Sequence, residues 1–203
     1  DLSLIPLLAN LATGGHIVLN AKEDIAAENW LDRLKANDVS VWVSTPSFAY
    51  QRLLSPQFNS DYLPELNVFI FIGEVLNKAL VKQLRRRFPQ AKILNSYGPT
   101  EATIATTVVE ITDEILNNDN PLLPVGVMMP DTHMEITADG ELIIWGKNVM
   151  RGYLGLPQEN ATKLLRRESE EYRGYRTGDL GYEDGLIYCQ GRNDSQIKLN
   201  GYR

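Results

Sequence analysis

This sequence of 203 residues contains few of the side chains that enzymes use for nucleophilic or zinc-dependent catalysis. It has one cysteine, Cys189, and two histidines, His16 and His133. An internal disulfide is therefore excluded, and a zinc site of the cysteine–histidine type would lack ligands. Neither histidine lies beside a G-x-S-x-G pattern, which argues against a catalytic triad. Any chemistry of this chain must rest on binding and electrostatics.

Long apolar runs and an excess of positive charge are also missing. No run of about 18 apolar residues exists, so the sequence predicts no membrane span. The net charge is −6 at pH 7. An acidic chain argues against a nucleic-acid partner, because phosphate backbones are bound by basic surfaces. A single thiol is typical of a reducing compartment, and we expect a cytoplasmic protein.

Hydrophobic periodicity predicts a mainly parallel sheet covered by helices in the first half of the chain. After about residue 105, short strands separated by Gly, Asp, Asn and Pro predict a small antiparallel β-barrel. The strand-like runs of the first half are HIVLN (16–20), SVWVSTP (40–46), NVFIFIG (67–73) and AKIL (91–94), and the helix-like runs are 3–12, 24–36, 47–54 and 77–88. For the helix at 47–54, Ser47 is the expected N-cap.

The stretch NSYGPTEAT (95–103) joins a strand-like run to a second apolar run. Gly98 and Pro99 predict a tight turn with backbone N–H groups pointing outward. Thr100 can donate to a phosphate oxygen, Glu101 can bind Mg²⁺, and Tyr97 offers a flat face to a base. The loop lacks the G-x-x-x-x-G-K-[ST] pattern of a Walker phosphate loop. On composition alone, a plain polar turn is the better explanation.

Two later turns contain further candidates. YRTGDLGY (175–182) places Asp179 in a Gly-bounded turn before a strand, where a carboxylate could accept both ribose hydroxyls. GRNDSQIKLNGYR (191–203) contains Arg192 and Asp194. Taken singly, an aspartate in a turn is more often structural than functional.

Taken together and in order, these stretches carry a resemblance to a known family. NSYGPTEATIA, GELIIWGKNVMRGYL, YRTGDLGY and GRNDSQIKLNGYR resemble four successive core motifs of the adenylate-forming superfamily. The superfamily includes the adenylation domains of nonribosomal peptide synthetases and the acyl-CoA synthetases. The last motif is similar to that of the amino-acid-activating branch. DLSLIPLLANLATGG, VWVSTPSFA and FIFIGEVL are similar to the D-alanine–carrier protein ligases of this branch, which serve teichoic acid modification.

The resemblance implies an ATP- and Mg²⁺-dependent ligase. An amino-acid carboxylate would attack the α-phosphate of ATP and form an aminoacyl-adenylate. The phosphopantetheine thiol of a carrier protein would then take the acyl group. The chain would be part of the large N-terminal region of such an enzyme, with an α/β subdomain at 1–105, a β-barrel-like subdomain at 106–190, and a hinge with the start of the small C-terminal domain at 191–203.

The resemblance also implies roles for the motif residues. Tyr97 would stack on adenine and Thr100 would contact phosphate. Glu101 would bind Mg²⁺, which makes Thr100 and Glu101 the candidate catalytic residues. Asp179 would hold the ribose hydroxyls, with Arg192 nearby. These roles amount to positioning and charge neutralisation, which suits phosphorus chemistry.

On the substrate side, Asp1 matches the position whose carboxylate anchors the substrate ammonium. Ile72 and Gly73 would line the amino-acid pocket, and Asp194 matches the hinge between the two half-reactions. The remaining candidate nucleotide-binding residues are Glu74, Asn95, Ser96 and Gly98.

The sequence departs from the family pattern in three places. The Ser/Thr/Gly/Lys-rich phosphate loop and the catalytic lysine of the C-terminal domain are absent, so we expect a fragment that is inactive by itself. Ile72 stands where D-alanine ligases are expected to have cysteine, and such a pocket change alters substrate discrimination by about 1–3 kcal/mol. Two alternatives therefore remain open: a synthetase domain for another amino acid, and a non-catalytic nucleotide-binding module.

Overall fold

The structure, a computed structural model, describes residues 3–19, 29–167 and 172–193. The chain divides into two compact units. The first comprises Asp1–Leu94 and Ile111–Asn117, and the second comprises Asn95–Glu110 and Asn118–Arg203. None of the described helices combines the length and apolar character needed to cross a bilayer.

The first unit is a sheet with helices. Strand β1 runs parallel to β2, with Val41 opposite Val68 and Ser44 opposite Phe71, and the strand order is β1-β2-β3. Its elements are α1 (Leu4–Thr13), α2 (Trp30–Ala36), β1 (Val41–Ser44), α3 (Pro46–Arg52), β2 (Val68–Phe71), α4 (Lys78–Arg87), the start of β3 (Lys92–Tyr97) and α5 (Asp113–Asn117).

An aromatic cluster forms the core of the first unit. Phe58, Phe69 and Phe88 are fully buried, and the ring of Phe88 lies 5.0 Å from those of Phe58 and Phe69. Edge-to-face pairs of this kind add to the free energy of area burial. Because Phe69 lies on β2, this core packs against that strand.

Helix α3 begins one residue earlier than the sequence predicts. Its N-cap is Thr45, whose hydroxyl accepts from the backbone N–H of Phe48, and Pro46 occupies the first turn. The prediction of Ser47 as N-cap is therefore wrong. Proline at this position has no N–H to satisfy and a fixed φ that suits a helix start.

The strand predicted for HIVLN (16–20) is also wrong over residues 16–19, which form neither helix nor strand. A strand needs a hydrogen-bonded neighbour, and in the part of the chain that the structure describes the sheet order begins at β1. Residue 20 lies outside the described residues, and so do residues 24–28 of the helix predicted at 24–36.

The second unit is mainly antiparallel. Strand β3 continues into it, in the order β3-β4-β5, and a second sheet has the order β10-β9-β7-β6, with β8 paired to β9. The prediction of an α/β fold followed by an antiparallel part is confirmed. Its other elements are β4 (Thr107–Glu110), β5 (Val127–Met128), β6 (Thr132–Ile136), β7 (Glu141–Gly146), α6 (Pro157–Lys163), β8 (Leu164–Arg166), β9 (Arg173–Asp184) and β10 (Leu186–Arg192).

Candidate functional site

The loop that follows β3 is anchored by two buried polar side chains. Asn95 Nδ2 donates to the carbonyl of Pro124 at 2.8 Å, and Ser96 Oγ donates to the carbonyl of Thr107 at 2.6 Å. Both side chains are thereby satisfied within the second unit. The structure gives these two candidate nucleotide-binding residues a role in holding the loop.

Position 98, at the start of the turn, has no room for a side chain larger than that of glycine. A Cβ built on it would lie 2.4 Å from the carbonyl oxygen of Ile104 and 2.8 Å from the backbone nitrogen of Thr106. That nitrogen donates to the carbonyl of Tyr97 at 2.8 Å, so the turn closes on itself. A side chain at this position would push two backbone segments apart.

We therefore expect Gly98→Ala to lower the free energy of unfolding by about 1–3 kcal/mol, the typical effect of overpacking. The loss should already be present without any nucleotide, because the clash is with the chain itself. Thermal unfolding of the full-length protein without ATP measures it. An unchanged midpoint would show that Gly98 is not required by this packing.

The turn continues through strained backbone. Thr100–Ala102 forms one turn of 3-10 helix, and Thr103 and Ile104 follow with φ of 59° and 68°. Such angles are unusual for residues other than glycine, and for a β-branched side chain they are an outlier. Thr103 Oγ1 donates to the carbonyl of Asn148 at 2.7 Å, which helps to hold this conformation. Strain of this kind is often found at ligand sites.

Thr100 and Glu101 face different environments on this turn. Thr100 is exposed, whereas Glu101 is buried, with 7% of its surface accessible. A hydroxyl at the surface of the turn suits contact with a phosphate, and a buried carboxylate suits a cation.

Asp179 connects two of the predicted nucleotide-binding residues. The Tyr97 hydroxyl donates to Asp179 Oδ2 at 2.6 Å, and Arg192 donates to Asp179 Oδ1 at 3.0 Å. The Asp179 and Arg192 side chains are 14% and 21% exposed, so their charges are paired in a largely desolvated place. Residues 82 positions apart in sequence are thus brought together.

The turn that presents Asp179 is itself braced. The backbone N–H of Asp179 donates to Thr177 Oγ1 at 3.0 Å, and Gly178 has a φ of 73°, which favours glycine. Glu141 Oε1 accepts from the backbone N–H of Gly178 at 3.1 Å, and its other oxygen pairs with Arg176. Strand β7 therefore holds Gly178 through Glu141, and the side chain of Thr177 holds the backbone of Asp179.

Tyr97 stays a hydrogen-bond donor over the ordinary pH range. Burial raises the pKa of its hydroxyl well above the usual value, and the negative charge of Asp179 raises the pKa further. The proton therefore remains on Tyr97, and the bond to Asp179 keeps its direction. The ring packs beside a buried cluster of Ala102, Ile144 and Tyr175.

Glu101 is held by a second tyrosine. The hydroxyl of Tyr153 donates to Glu101 Oε1 at 2.8 Å, and the hydroxyls of Tyr153 and Tyr175 lie 3.2 Å apart. Burial first, and then these neighbours, raise the pKa of Tyr175 far above its ordinary value. Tyr153 is not among the residues predicted from the sequence, although the motif GELIIWGKNVMRGYL contains it.

The donor set suits a metal that arrives with a nucleotide. Among residues 3–19, 29–167 and 172–193, no group of three or more His, Cys, Asp or Glu side chains is placed to hold a metal ion. Mg²⁺ is commonly bound by one or two carboxylates together with substrate phosphates. Glu101, as one buried carboxylate, fits that pattern.

The first unit contains the other predicted pocket residues. Ile72 is buried directly after β2, and Gly73 has a φ of 92°. Glu74 accepts from the backbone N–H of Ser47 at 3.0 Å and from its hydroxyl at 2.9 Å, at the start of α3. Glu74 therefore has a capping contact in this unit. Asp1 and Asp194 lie outside the described residues.

Comparison with protein families gives one match that covers most of the chain. The family model described as AMP-binding enzyme matches residues 1–154. The matched part includes the loop at Asn95 to Thr103 and Tyr153.

Similar curated proteins share a single description. The chain is 43% identical over 218 residues to a D-alanine–D-alanyl carrier protein ligase of Bacillus licheniformis. It is 45% identical over 205 residues to the protein of the same description from Staphylococcus epidermidis. All of this chain is aligned in both cases, and it spans 42% of the length of each relative.

Solved structures with similar folds include adenylation domains. The chain matches the Vibrio cholerae adenylation domain AlmE, solved with glycyl-adenosine-5′-phosphate, at a TM-score of 0.70 and 26% identity, over 85% of this chain and 35% of that one. The structure of IdnL1 matches with a TM-score of 0.87 and 22% identity, over 99% of this chain and 44% of that one. The second match concerns the fold alone.

Proposed function

The chain belongs to the AMP-binding enzyme family, and from that premise we propose that it is part of a cytoplasmic, ATP-dependent ligase. The ligase activates a small amino acid, D-alanine first among the candidates, as an aminoacyl-adenylate. It then transfers the acyl group to the phosphopantetheine thiol of a carrier protein. The relatives described as D-alanine–D-alanyl carrier protein ligases support this substrate and this partner.

The observation that carries the proposal is the fixed carboxylate of Asp179. Its Oδ2 accepts from the Tyr97 hydroxyl at 2.6 Å, and its Oδ1 accepts from Arg192 at 3.0 Å. A carboxylate held in one orientation can accept two neighbouring ribose hydroxyls without further ordering. This arrangement joins three sequence motifs, and the family resemblance implies nucleotide-binding roles for its members.

In the proposed reaction each residue has a positional role. The ring of Tyr97 contacts the adenine, Asp179 binds the ribose, and the exposed Thr100 contacts a phosphate. Glu101 would hold Mg²⁺, which when bound neutralises phosphate charge as the substrate carboxylate attacks. The protein itself makes no covalent bond, so rate enhancement comes from alignment and charge neutralisation.

Residues of the first unit are proposed to select the amino acid. Ile72 and Gly73 would line the side-chain pocket, and Asp1 would pair with the substrate ammonium. Ile72 is bulkier than the expected cysteine and β-branched, so it would crowd one side of this pocket. The similar adenylation domain AlmE was solved in complex with glycyl-adenosine-5′-phosphate, which supports a small substrate.

One feature favours a second candidate, an adenylation domain for another amino acid within a peptide synthetase. Ile72 occupies the position where D-alanine ligases are expected to have cysteine. A pocket change of this size alters the discrimination between two substrates by about 1–3 kcal/mol. The structural neighbour PA1221, which contains adenylation and carrier domains, has a TM-score of 0.72 and 26% identity to this chain.

The test is ATP–pyrophosphate exchange by the full-length protein across D- and L-amino acids. We expect exchange with D-alanine or another small amino acid, and little with bulky ones. Exchange with a large L-amino acid would favour the synthetase candidate. Absence of exchange with every amino acid would contradict adenylation and leave a nucleotide-binding module.

A further inference from the structure

Tyr153 lies in a sequence motif to which the proposed reaction assigns no role. It belongs to GELIIWGKNVMRGYL, which ends in a loop after β7. In the structure the Tyr153 hydroxyl donates to Glu101 Oε1 at 2.8 Å, across 52 positions of sequence. A motif residue of unassigned function thus contacts the proposed metal-binding carboxylate.

The backbone at Tyr153 is held by Asn160 at the first turns of α6. The Tyr153 N–H donates to Asn160 Oδ1 at 2.7 Å, and Asn160 Nδ2 donates to the Tyr153 carbonyl at 2.9 Å. The preceding Gly152 has a φ of 146°, and a Cβ there would lie 3.0 Å from Asn160 Oδ1. Glycine at 152 therefore allows the amide of Asn160 to approach and fix both backbone groups of Tyr153.

The other end of the loop is held from strand β9. Arg173 donates to the carbonyl of Met150 at 3.0 Å and to that of Val149 at 3.1 Å and 3.3 Å. The N–H of Met150 in turn donates to the carbonyl of Glu101 at 2.8 Å. The loop thus contacts Glu101 twice, once at its backbone and once at its carboxylate.

We propose that Tyr153 is a positioning residue that orients the Glu101 carboxylate for Mg²⁺, with Asn160 and Arg173 fixing the loop that presents it. The inference rests on the proposed function, because it needs Glu101 to receive a metal with ATP. The hydroxyl holds one carboxylate oxygen, which limits the rotation of the group and favours one direction for its other oxygen. Binding then requires less ordering of the side chain.

The position of Tyr175 supports the hydrogen bond in which the Tyr153 hydroxyl donates to Glu101. Its hydroxyl lies 3.2 Å from that of Tyr153. At this distance the Tyr175 hydroxyl can donate to the Tyr153 oxygen while Tyr153 donates to Glu101. Hydrogen bonds in such a chain strengthen one another.

The test is Tyr153→Phe in the full-length protein, with ATP binding measured by calorimetry at graded Mg²⁺ and also in EDTA. We expect the Mg²⁺ concentration for half-maximal binding to rise about tenfold, as loss of one hydrogen bond to a charged group predicts. Metal-free ATP affinity should stay within about twofold of wild type. Excess Mg²⁺ should restore pyrophosphate exchange.

Tyr182→Phe is the matched control, because the Tyr182 hydroxyl also has a hydrogen-bond partner, Asn120, at 2.8 Å in the same unit. It should leave the Mg²⁺ requirement unchanged. An unchanged requirement in Tyr153→Phe, or an equal loss of ATP affinity with and without Mg²⁺, would overturn the positioning role. If wild-type protein itself showed no Mg²⁺-dependent ATP binding, the proposed function would fail together with this inference.

Discussion

Glu101→Gln is expected to reduce ATP–pyrophosphate exchange by the full-length protein by about 10²–10³-fold, the range observed when one electrostatic stabiliser is removed from an active site. Glutamine has nearly the same shape, and its amide oxygen can still accept from Tyr153. The fold should therefore survive while the negative charge offered to Mg²⁺ is lost. Exchange rates at saturating ATP and amino acid measure the effect.

The control for this variant is Glu183→Gln, which makes the same chemical change at an exposed position of β9. It should leave exchange and the unfolding midpoint unchanged. Exchange by Glu101→Gln within a few-fold of wild type would remove Glu101 from the metal-binding role. A large fall in its unfolding midpoint would instead identify the buried carboxylate as structural.

Asp179→Asn is expected to weaken ATP binding by about 100-fold, because two charge-assisted contacts are disturbed at once. An amide has one acceptor oxygen, so it cannot accept from Tyr97 and Arg192 as the carboxylate does. Its NH₂ group would face one of these donors, and Arg192 would lose its counter-charge in a largely buried place. Calorimetry with and without Mg²⁺ should show the same loss, since this contact concerns the ribose side of the nucleotide.

Asp184→Asn serves as the comparison, because Asp184 is exposed near the end of the same strand. It should bind ATP as wild type does. Unchanged affinity in Asp179→Asn would show that the carboxylate supports only the turn, and a loss confined to Mg²⁺-containing buffer would place it on the phosphate side. Either result would contradict the ribose role.

The elements with strong hydrophobic periodicity could be predicted from the sequence, whereas those that depend on a neighbour could not. Helix α4 has apolar residues on one face and an Asn77 cap, and it lies within one residue of the predicted span. The run at 16–20 has the same local appearance as β1, yet residues 16–19 form no strand. Strand formation depends on pairing with another segment, and that information is not local.

The candidate site shows the same division. The stretch NSYGPTEAT identified a turn with Tyr97, Gly98, Thr100 and Glu101, because glycine, hydroxyl and carboxylate residues leave a local signature. The steric need for glycine at position 98 could not be predicted, because it arises from the carbonyl of Ile104, which lies close to Gly98 once the chain has turned back. Nor did the sequence indicate that Asn95 and Ser96 are satisfied by backbone carbonyls.

By itself, the sequence determined the fold class, the family and the order of the motifs, because periodicity and turn chemistry are properties of short segments. The tertiary structure alone decided which motif residues meet. Asp179 lies between Tyr97 and Arg192, and Glu101 lies against Tyr153, because strand pairing in the second unit brings together segments that are 13 to 82 residues apart. Contacts at such separations depend on the register of whole sheets, which no single motif encodes.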